Sequence, residues 1–225
     1  MAKKAKQTQP DSLEGIEQAL TRSEQFIEEN SKVLSYIVGV IVILIVLFIG
    51  TKRFYITPLQ EEAAGQMFMA EKFFERDSFD LALNGYGTYP GFIEITEDYK
   101  ITKTANLAKY YAGISFLKLG DYESAIDYLN DFNTKDILVG SAQYSSLGDA
   151  YVELNELESA IKAYQKAVSE YGNNFTSPLI LKKTGLVYEE LNETSEANKI
   201  YTQIKSEFPD SEEARDIDKS IARTK

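Results

Sequence analysis

The chain has 225 residues, of which 44% are hydrophobic and 26% are charged, enough for one folded domain and one additional element. It contains no His and no Cys, which excludes imidazole bases, thiolate nucleophiles, disulfides and ordinary zinc sites, and we expect neither a metal nor another cofactor. Its 35 acidic and 24 basic residues give a formal net charge of -11, which disfavours nucleic acid as a partner.

Residues 1–32 form a polar segment with one helical pattern. Asp11 and Glu14 are spaced as a capping box, and apolar residues then recur at helical spacing, namely Leu13, Ile16, Leu20 and Ile27. We expect a short amphipathic helix here. It would either lie on a membrane face or a partner, or lead as a solvated stub into the next segment.

Residues 33–51 contain no charged residue and are almost entirely apolar. A helix of this length matches the hydrocarbon thickness of a bilayer, roughly 30 Å, and apolar residues on all sides leave no polar face for water. The alternatives are a buried core helix and a cleaved signal peptide. The pattern predicts a single transmembrane helix.

The basic residues flanking this helix nearly balance, with Arg22 and Lys32 before it and Lys52 and Arg53 after it. Three further lysines within residues 3–6 favour a cytoplasmic amino end. A long acidic segment can cross a membrane largely regardless of its charge. We therefore expect the rest of the chain on the outer side.

A repeating pattern occupies the remainder of the chain. Residues 108–129 and 144–164 share one frame, and a third copy places Gly185, Tyr188 and Ala197 where the second has Gly148, Tyr151 and Ala160. A degenerate first copy is readable at Ala70, Phe73, Phe79, Ala82 and Tyr86, with Thr57 and Pro58 as its capping start. The small residues allow close helix approach, and the aromatic residues fill the space beside it.

This pattern resembles the tetratricopeptide repeat (TPR), whose unit is a pair of antiparallel helices. The resemblance implies an all-α fold: a right-handed superhelix of about four helix pairs over residues 58–223, after a linker over 52–57, with a capping helix around 212–223. The spacing from Ala82 to Ala125 exceeds one repeat, and the excess falls in residues 85–95. We expect an ordered loop there, either a binding element or padding.

In a TPR array the first helices line a groove. The repeat frame places ten residues in it as a candidate peptide-binding site: Met67, Phe74, Tyr110, Ile114, Leu117, Asp149, Val152, Lys182, Leu186 and Glu189. Apolar side chains among acids favour an extended or helical segment with apolar residues and positive charge. Alternatively, several of the ten pack between repeats. No buried carboxyl pair is indicated, so we expect no enzyme activity and no small-molecule substrate.

The layout of a short segment containing Phe26 to Leu34, one membrane helix and then TPRs is similar to the YfgM family, including Asn30 and Lys32 at the membrane entry. The resemblance implies an ancillary subunit of the bacterial SecYEG translocon in the inner membrane, with periplasmic repeats. Its partners would be translocon subunits, exported or unfolded polypeptides and periplasmic chaperones. Two alternatives are a scaffold for a cell-envelope complex and a cytosol-facing targeting receptor.

Overall fold

The computed structural model describes residues 26–225, which divide into two units between Tyr55 and Ile56. These described residues contain twelve α-helices with defined bounds and no β-strand, which confirms the predicted all-α class. The predicted amphipathic helix with Leu13, Ile16 and Leu20 lies outside the described residues.

The first unit contains the apolar helix α1, Ser31–Thr51, of 21 residues. At about 1.5 Å per residue its length is about 31 Å, close to the hydrocarbon thickness of a bilayer. None of its residues is buried. By length and composition, α1 is able to cross a membrane. A five-residue π-helical turn, Lys52–Ile56, follows where the linker is predicted.

The second unit contains four successive helix pairs and a short extra helix. In chain order these are α2 (Thr57–Phe74) with α3 (Phe79–Asn84), the extra helix α4 (Phe92–Asp98), α5 (Lys103–Leu119) with α6 (Tyr122–Asp131), α7 (Ile137–Glu153) with α8 (Leu157–Tyr171), and α9 (Ser177–Glu190) with α10 (Thr194–Glu207). The two helices of each pair pack together, and each first helix also contacts the next first helix. The predicted TPR-type array is therefore confirmed.

The second helix of a pair buries one face, as α8 illustrates. Leu157, Ala160, Ile161, Tyr164 and Ala167 are buried at helical spacing. Residues 158, 162, 165 and 169 on the other side of the helix are exposed. This periodicity lets α8 pack between α7 and α9 while its other face stays in water.

All four turns inside the pairs have the same geometry. One residue of each turn has a positive φ: Asp77 (56°), Gly120 (83°), Asn155 (59°) and Asn192 (62°). The next residue donates its amide N–H to a carbonyl five residues earlier at 2.8 to 3.0 Å, joining Ser78 to Phe73, Asp121 to Phe116, Glu156 to Tyr151 and Glu193 to Tyr188. This is the Schellman pattern. Its presence at Phe73 shows that the first pair, although degenerate in sequence, shares the repeat frame.

The predicted close contacts within the pairs are present. A Cβ on Gly113 would lie 2.6 Å from Cγ of Leu129, and one on Gly185 would lie 2.3 Å from the Tyr201 ring. The alanines at 82, 125, 160 and 197 on the second helices are all fully buried. Small residues therefore set the spacing between paired helices.

The first pair differs from the others because its second helix is short. α3 ends at Asn84, and residues 85–91 form a tight turn in which Tyr86 and Tyr89 exchange two backbone hydrogen bonds. A Cβ on Gly91 would lie 2.0 Å from the Leu83 carbonyl oxygen, so the turn closes against the end of α3.

Three expectations for the first pair were wrong. The loop predicted over residues 85–95 ends at Gly91, because Phe92–Asp98 forms α4 with Phe92 and Ile95 fully buried. Tyr86 is 66% exposed, since the helix that would have buried it has already ended. Thr57 is the first residue of α2 instead of its cap, because the backbone is already helical at Ile56.

The array ends with two short helices, α11 (Glu212–Arg215) and α12 (Ile217–Arg223). The prediction of a single capping helix around 212–223 was therefore wrong in detail, because the chain leaves helical geometry at Asp216. Ile217 is 1% exposed and packs with Tyr201 and Ile204, which closes the last core cluster.

Side-chain hydrogen bonds tie the first helices of neighbouring repeats together. Gln60 on α2 accepts the amide N–H of Lys103 at 2.6 Å and also bonds the Thr104 hydroxyl at the start of α5. Asn106 on α5 donates to the carbonyl of Asn133 at 2.8 Å and accepts its amide N–H at 3.2 Å.

The same arrangement continues toward the carboxyl end. Ser141 on α7 bonds the hydroxyl of Thr176 at 2.7 Å, and Asn174 lines a small cleft with residues 207–211. The loops 99–102, 132–136, 172–176 and 208–211 therefore lie on the same side as the start of α2. We call this side the amino edge. The four turns within the pairs lie on the opposite side, the turn edge.

Candidate peptide-binding groove

The ten predicted groove residues occupy different environments in the structure. Met67 is 2% exposed and belongs to the core cluster of the first repeats. The Phe74 ring packs against Phe79, Phe92 and Tyr111, with ring centroids 5.5, 6.2 and 5.0 Å away. These two side chains hold the first pair to α4 and α5.

Tyr110 and Ile114 lie on α5 and are half-buried against the cluster that contains Leu129 and Leu147. The Tyr110 ring centroid is 5.3 Å from that of Phe132. Burial raises the pKa of the Tyr110 hydroxyl, so it stays neutral. Both residues therefore contribute chiefly to the contact between the second and third pairs.

Three predicted residues, Leu117, Asp149 and Val152, come together in one open cleft of about 300 Å³. We call it the Leu117 cleft; its remaining lining residues are Lys118, Tyr122, Glu153 and Tyr164. It lies where the ends of α5 and α7 meet the start of α6. The cleft joins apolar surface to two carboxylates, which suits a ligand side chain with an apolar stem and a positive end.

Asp149 is held in place by two partners that the sequence did not identify. Its carboxylate accepts hydrogen bonds from the Lys183 ammonium at 2.7 and 2.8 Å and from the Tyr164 hydroxyl at 2.7 Å. Burial and the neighbouring carboxylate raise the pKa of Tyr164 well above its usual range. Tyr164 therefore remains a hydrogen-bond donor that orients Asp149.

Glu153 at the mouth of the cleft is exposed and is less constrained. Its carboxylate accepts a hydrogen bond from the Tyr122 hydroxyl at 3.2 Å. Since Asp149 already pairs with Lys183, Glu153 is the acid of the cleft that remains accessible to a positively charged ligand.

The three predicted residues on α9 do not join the Leu117 cleft. Lys182 and Leu186 are exposed, with Leu186 at 50%. Glu189 is paired with Arg223 of α12, through two hydrogen bonds of 2.7 Å, and accepts the Tyr201 hydroxyl at 2.5 Å. The bonds from Arg223 lower the pKa of Glu189 despite its partial burial. Arg223 of α12 therefore occupies Glu189, whereas Lys182 and Leu186 remain exposed to solvent.

Lys183 and Arg223 are the important residues that sequence reasoning missed. Successive helix residues are about 100° apart, so Lys183 points toward α7 while Lys182 shares a face with Leu186. The direction in which Lys183 points can therefore be predicted from the sequence once the repeat frame is known. Arg223 gives no such signal, because it lies on α12, which is outside the repeat frame.

Comparison with known proteins agrees with this architecture. Sequence models described as Tetratricopeptide repeat match residues 107–136, 144–174 and 183–211. Comparison with curated protein sequences found no match. A crystal structure of nearly identical TPR-like repeats from Podosopora anserina, designated a kinesin light chain, has a TM-score of 0.54 at 10% identity, covering 73% of this chain and 86% of that chain. This likeness concerns the fold alone.

The second, third and fourth helix pairs thus carry TPR repeats, and the first extends the array without matching those sequence models. TPR repeats are protein–protein interaction modules. The geometry therefore defines an interaction scaffold in which the Leu117 cleft combines apolar and acidic surface.

Proposed function

We propose that the chain is a membrane-anchored TPR module that associates with the Sec translocon and binds newly exported polypeptides on the periplasmic side of the bacterial inner membrane. The observation that carries this proposal is the uncovered apolar helix α1, which precedes an array of interaction repeats by only five residues. A helix of this kind favours a lipid environment over water by a large margin.

The Leu117 cleft supports an unfolded polypeptide as the ligand. Leu117 and Val152 offer apolar contact, and Glu153 offers an accessible negative charge. Unfolded chains expose lysines beside runs of apolar side chains, whereas a folded monomer rarely exposes a large contiguous apolar patch. The resemblance of Phe26 to Leu34 to the YfgM family supports the translocon as the place of encounter.

Site-specific photocrosslinking tests this function in living cells. A photoreactive residue at Val152 should crosslink to a stalled secretory chain as it leaves the channel. The control is a photoreactive residue at Ser169, which is exposed on α8 and does not line the cleft. Crosslinks to the nascent chain from both positions or from neither would contradict the proposal.

The structural scaffold remains the second candidate, favoured by the Glu189–Arg223 contact that occupies one residue of the predicted groove. A scaffold would crosslink from Val152 to one folded envelope protein and would not prevent aggregation of an unfolded client. Protease added to spheroplasts tests the orientation, because only periplasmic repeats are cleaved before lysis. Protection of the repeats would favour a cytosol-facing receptor instead.

A further inference from the structure

The amino edge and the turn edge of the array differ in exposed apolar side chains. At the amino edge, two loops and the start of α7 present large hydrophobic residues to solvent: Ile101 (57% exposed) and Phe175 (85%) in the loops, and Ile137 and Leu138 (54% and 55%) on α7. Among the described residues at the turn edge, Leu119 is the one large hydrophobic residue with comparable exposure, at 50%. The apolar residues thus recur once per repeat on one side of the array.

The two edges also differ in charge, and the turns of the turn edge are the more acidic. The turns of the turn edge hold five acids and one base, namely Glu75, Asp77, Asp121, Glu156 and Glu193 against Arg76. The four loops of the amino edge hold two acids and two bases, namely Asp136 and Asp210 against Lys100 and Lys135. In addition, the Asp136 carboxylate accepts the amides of Leu138 and Val139, each at 2.9 Å. The loops of the amino edge are therefore neutral, although Asp98, Asp131 and Glu207 end the helices that lead into three of them.

The amino edge is also the side from which the chain continues to α1. α2 begins there at Thr57, and only the five residues Lys52–Ile56 separate it from the end of α1. Even fully extended, five residues span at most about 18 Å. A membrane-spanning α1 would therefore keep the start of the array close to the bilayer surface. This step rests on the proposed membrane anchor.

We propose that the amino edge rests on the lipid bilayer, with Ile101, Ile137, Leu138 and Phe175 in the interfacial region. Aromatic and branched apolar side chains favour the boundary between headgroups and acyl chains. Anionic lipid repels the acidic turns of the turn edge more strongly than the neutral loops of the amino edge.

The absence of native Cys allows a direct test with single-cysteine variants of the full chain. Ile137→Cys and Phe175→Cys, each labelled with a fluorophore, are reconstituted in phosphatidylcholine vesicles with brominated acyl chains, which quench only probes within lipid. Leu119→Cys is the matched control, because it is an exposed apolar residue at a helix end on the turn edge. A probe at Val42→Cys, within α1, reports whether α1 lies in the lipid.

We expect quenching at residues 42, 137 and 175 and none at residue 119, with the quenching at 137 and 175 insensitive to added salt because the contact is apolar. Quenching at residue 42 alone would overturn the contact of the amino edge and leave the anchor intact. Quenching at no position would overturn the anchor and this proposal together. If the probes at 137 and 175 lost contact with water only after another protein was added, the amino edge would be a protein interface. That result would overturn the lipid assignment.

Discussion

Gly148 and Tyr164 are in direct contact across the third helix pair, and a Cβ on Gly148 would lie 2.2 Å from Cε1 of the Tyr164 ring. The same ring is 2% exposed, and its hydroxyl orients Asp149 in the Leu117 cleft. Close packing of α7 against α8 is therefore coupled to the geometry of the candidate site.

The first prediction concerns this contact. Gly148→Ala should destabilise the protein by about 1–3 kcal/mol, because the added methyl displaces a buried ring. Gly65→Ala is the control, since Gly65 is exposed within α2 and a Cβ there would meet nothing within 4 Å. That change should stabilise by about 0.5–1 kcal/mol through helix propensity. Denaturant unfolding of the full chain in detergent micelles measures both, and equal effects would contradict the packing argument.

The second prediction concerns Gln143, which is 2% exposed and donates hydrogen bonds to the carbonyls of Leu129 at 2.7 Å and Phe132 at 3.0 Å. Gln143→Leu leaves both carbonyls at the end of α6 without this donor and should cost about 1–3 kcal/mol. Gln165→Leu, at an exposed position on α8, should change stability by less than about 0.5 kcal/mol. A neutral effect of Gln143→Leu in denaturant unfolding would show that the bonds between the second and third pairs are dispensable.

The third prediction concerns the pH dependence of the contact between α12 and α9. Because Arg223 lowers the pKa of Glu189 below its ordinary value of 4.5, the folded protein binds this proton less readily than the unfolded chain. The stabilisation is therefore complete above about pH 4.5 and is lost as the pH falls through the lower, folded pKa. The melting temperature of the wild type should exceed that of Glu189→Gln at pH 6, and the difference should shrink at more acidic pH.

A matched variant for this experiment is Glu190→Gln, because Glu190 is the exposed neighbour of Glu189 on α9. Its melting temperature should follow that of the wild type across the same pH range. A pH-independent difference between the wild type and Glu189→Gln would mean that the Arg223 contact does not stabilise the folded state.

The fourth prediction concerns binding by the Leu117 cleft. Glu153→Lys should weaken the binding of an unfolded, lysine-containing apolar peptide about fivefold, as expected for one exposed charge contact worth about 1 kcal/mol. Glu158→Lys makes the same charge change at an exposed site outside the cleft and should leave affinity unchanged. Fluorescence anisotropy with a labelled peptide measures both affinities. Equal losses would indicate a general effect of net charge.

The sequence predicted the repeat frame well, because the residues that fix helix spacing act over short distances. Gly113, Gly148 and Gly185 each face the second helix of their own pair, so their spacing directly reports the architecture. Asn155 and Asn192 also recur at the turns with positive φ, so their spacing carries the same repeat frame.

The candidate site was less accessible to sequence reasoning, since it depends on how far side chains reach between repeats. The frame correctly grouped Leu117, Asp149 and Val152, which lie at the ends of adjacent first helices. It did not indicate that Met67 is core, nor that α3 stops at Asn84. Those outcomes follow from α4, whose buried Phe92 and Ile95 complete the first core cluster.

The bonds from Gln60 to the start of α5, from Asn106 to Asn133 and from Ser141 to Thr176 each join a first helix to the start of the next first helix or to the loop before it. Each repeat that leaves the ribosome therefore finds hydrogen-bond partners on a neighbour that has already formed. The array can grow vectorially, one helix pair at a time, without waiting for the carboxyl end.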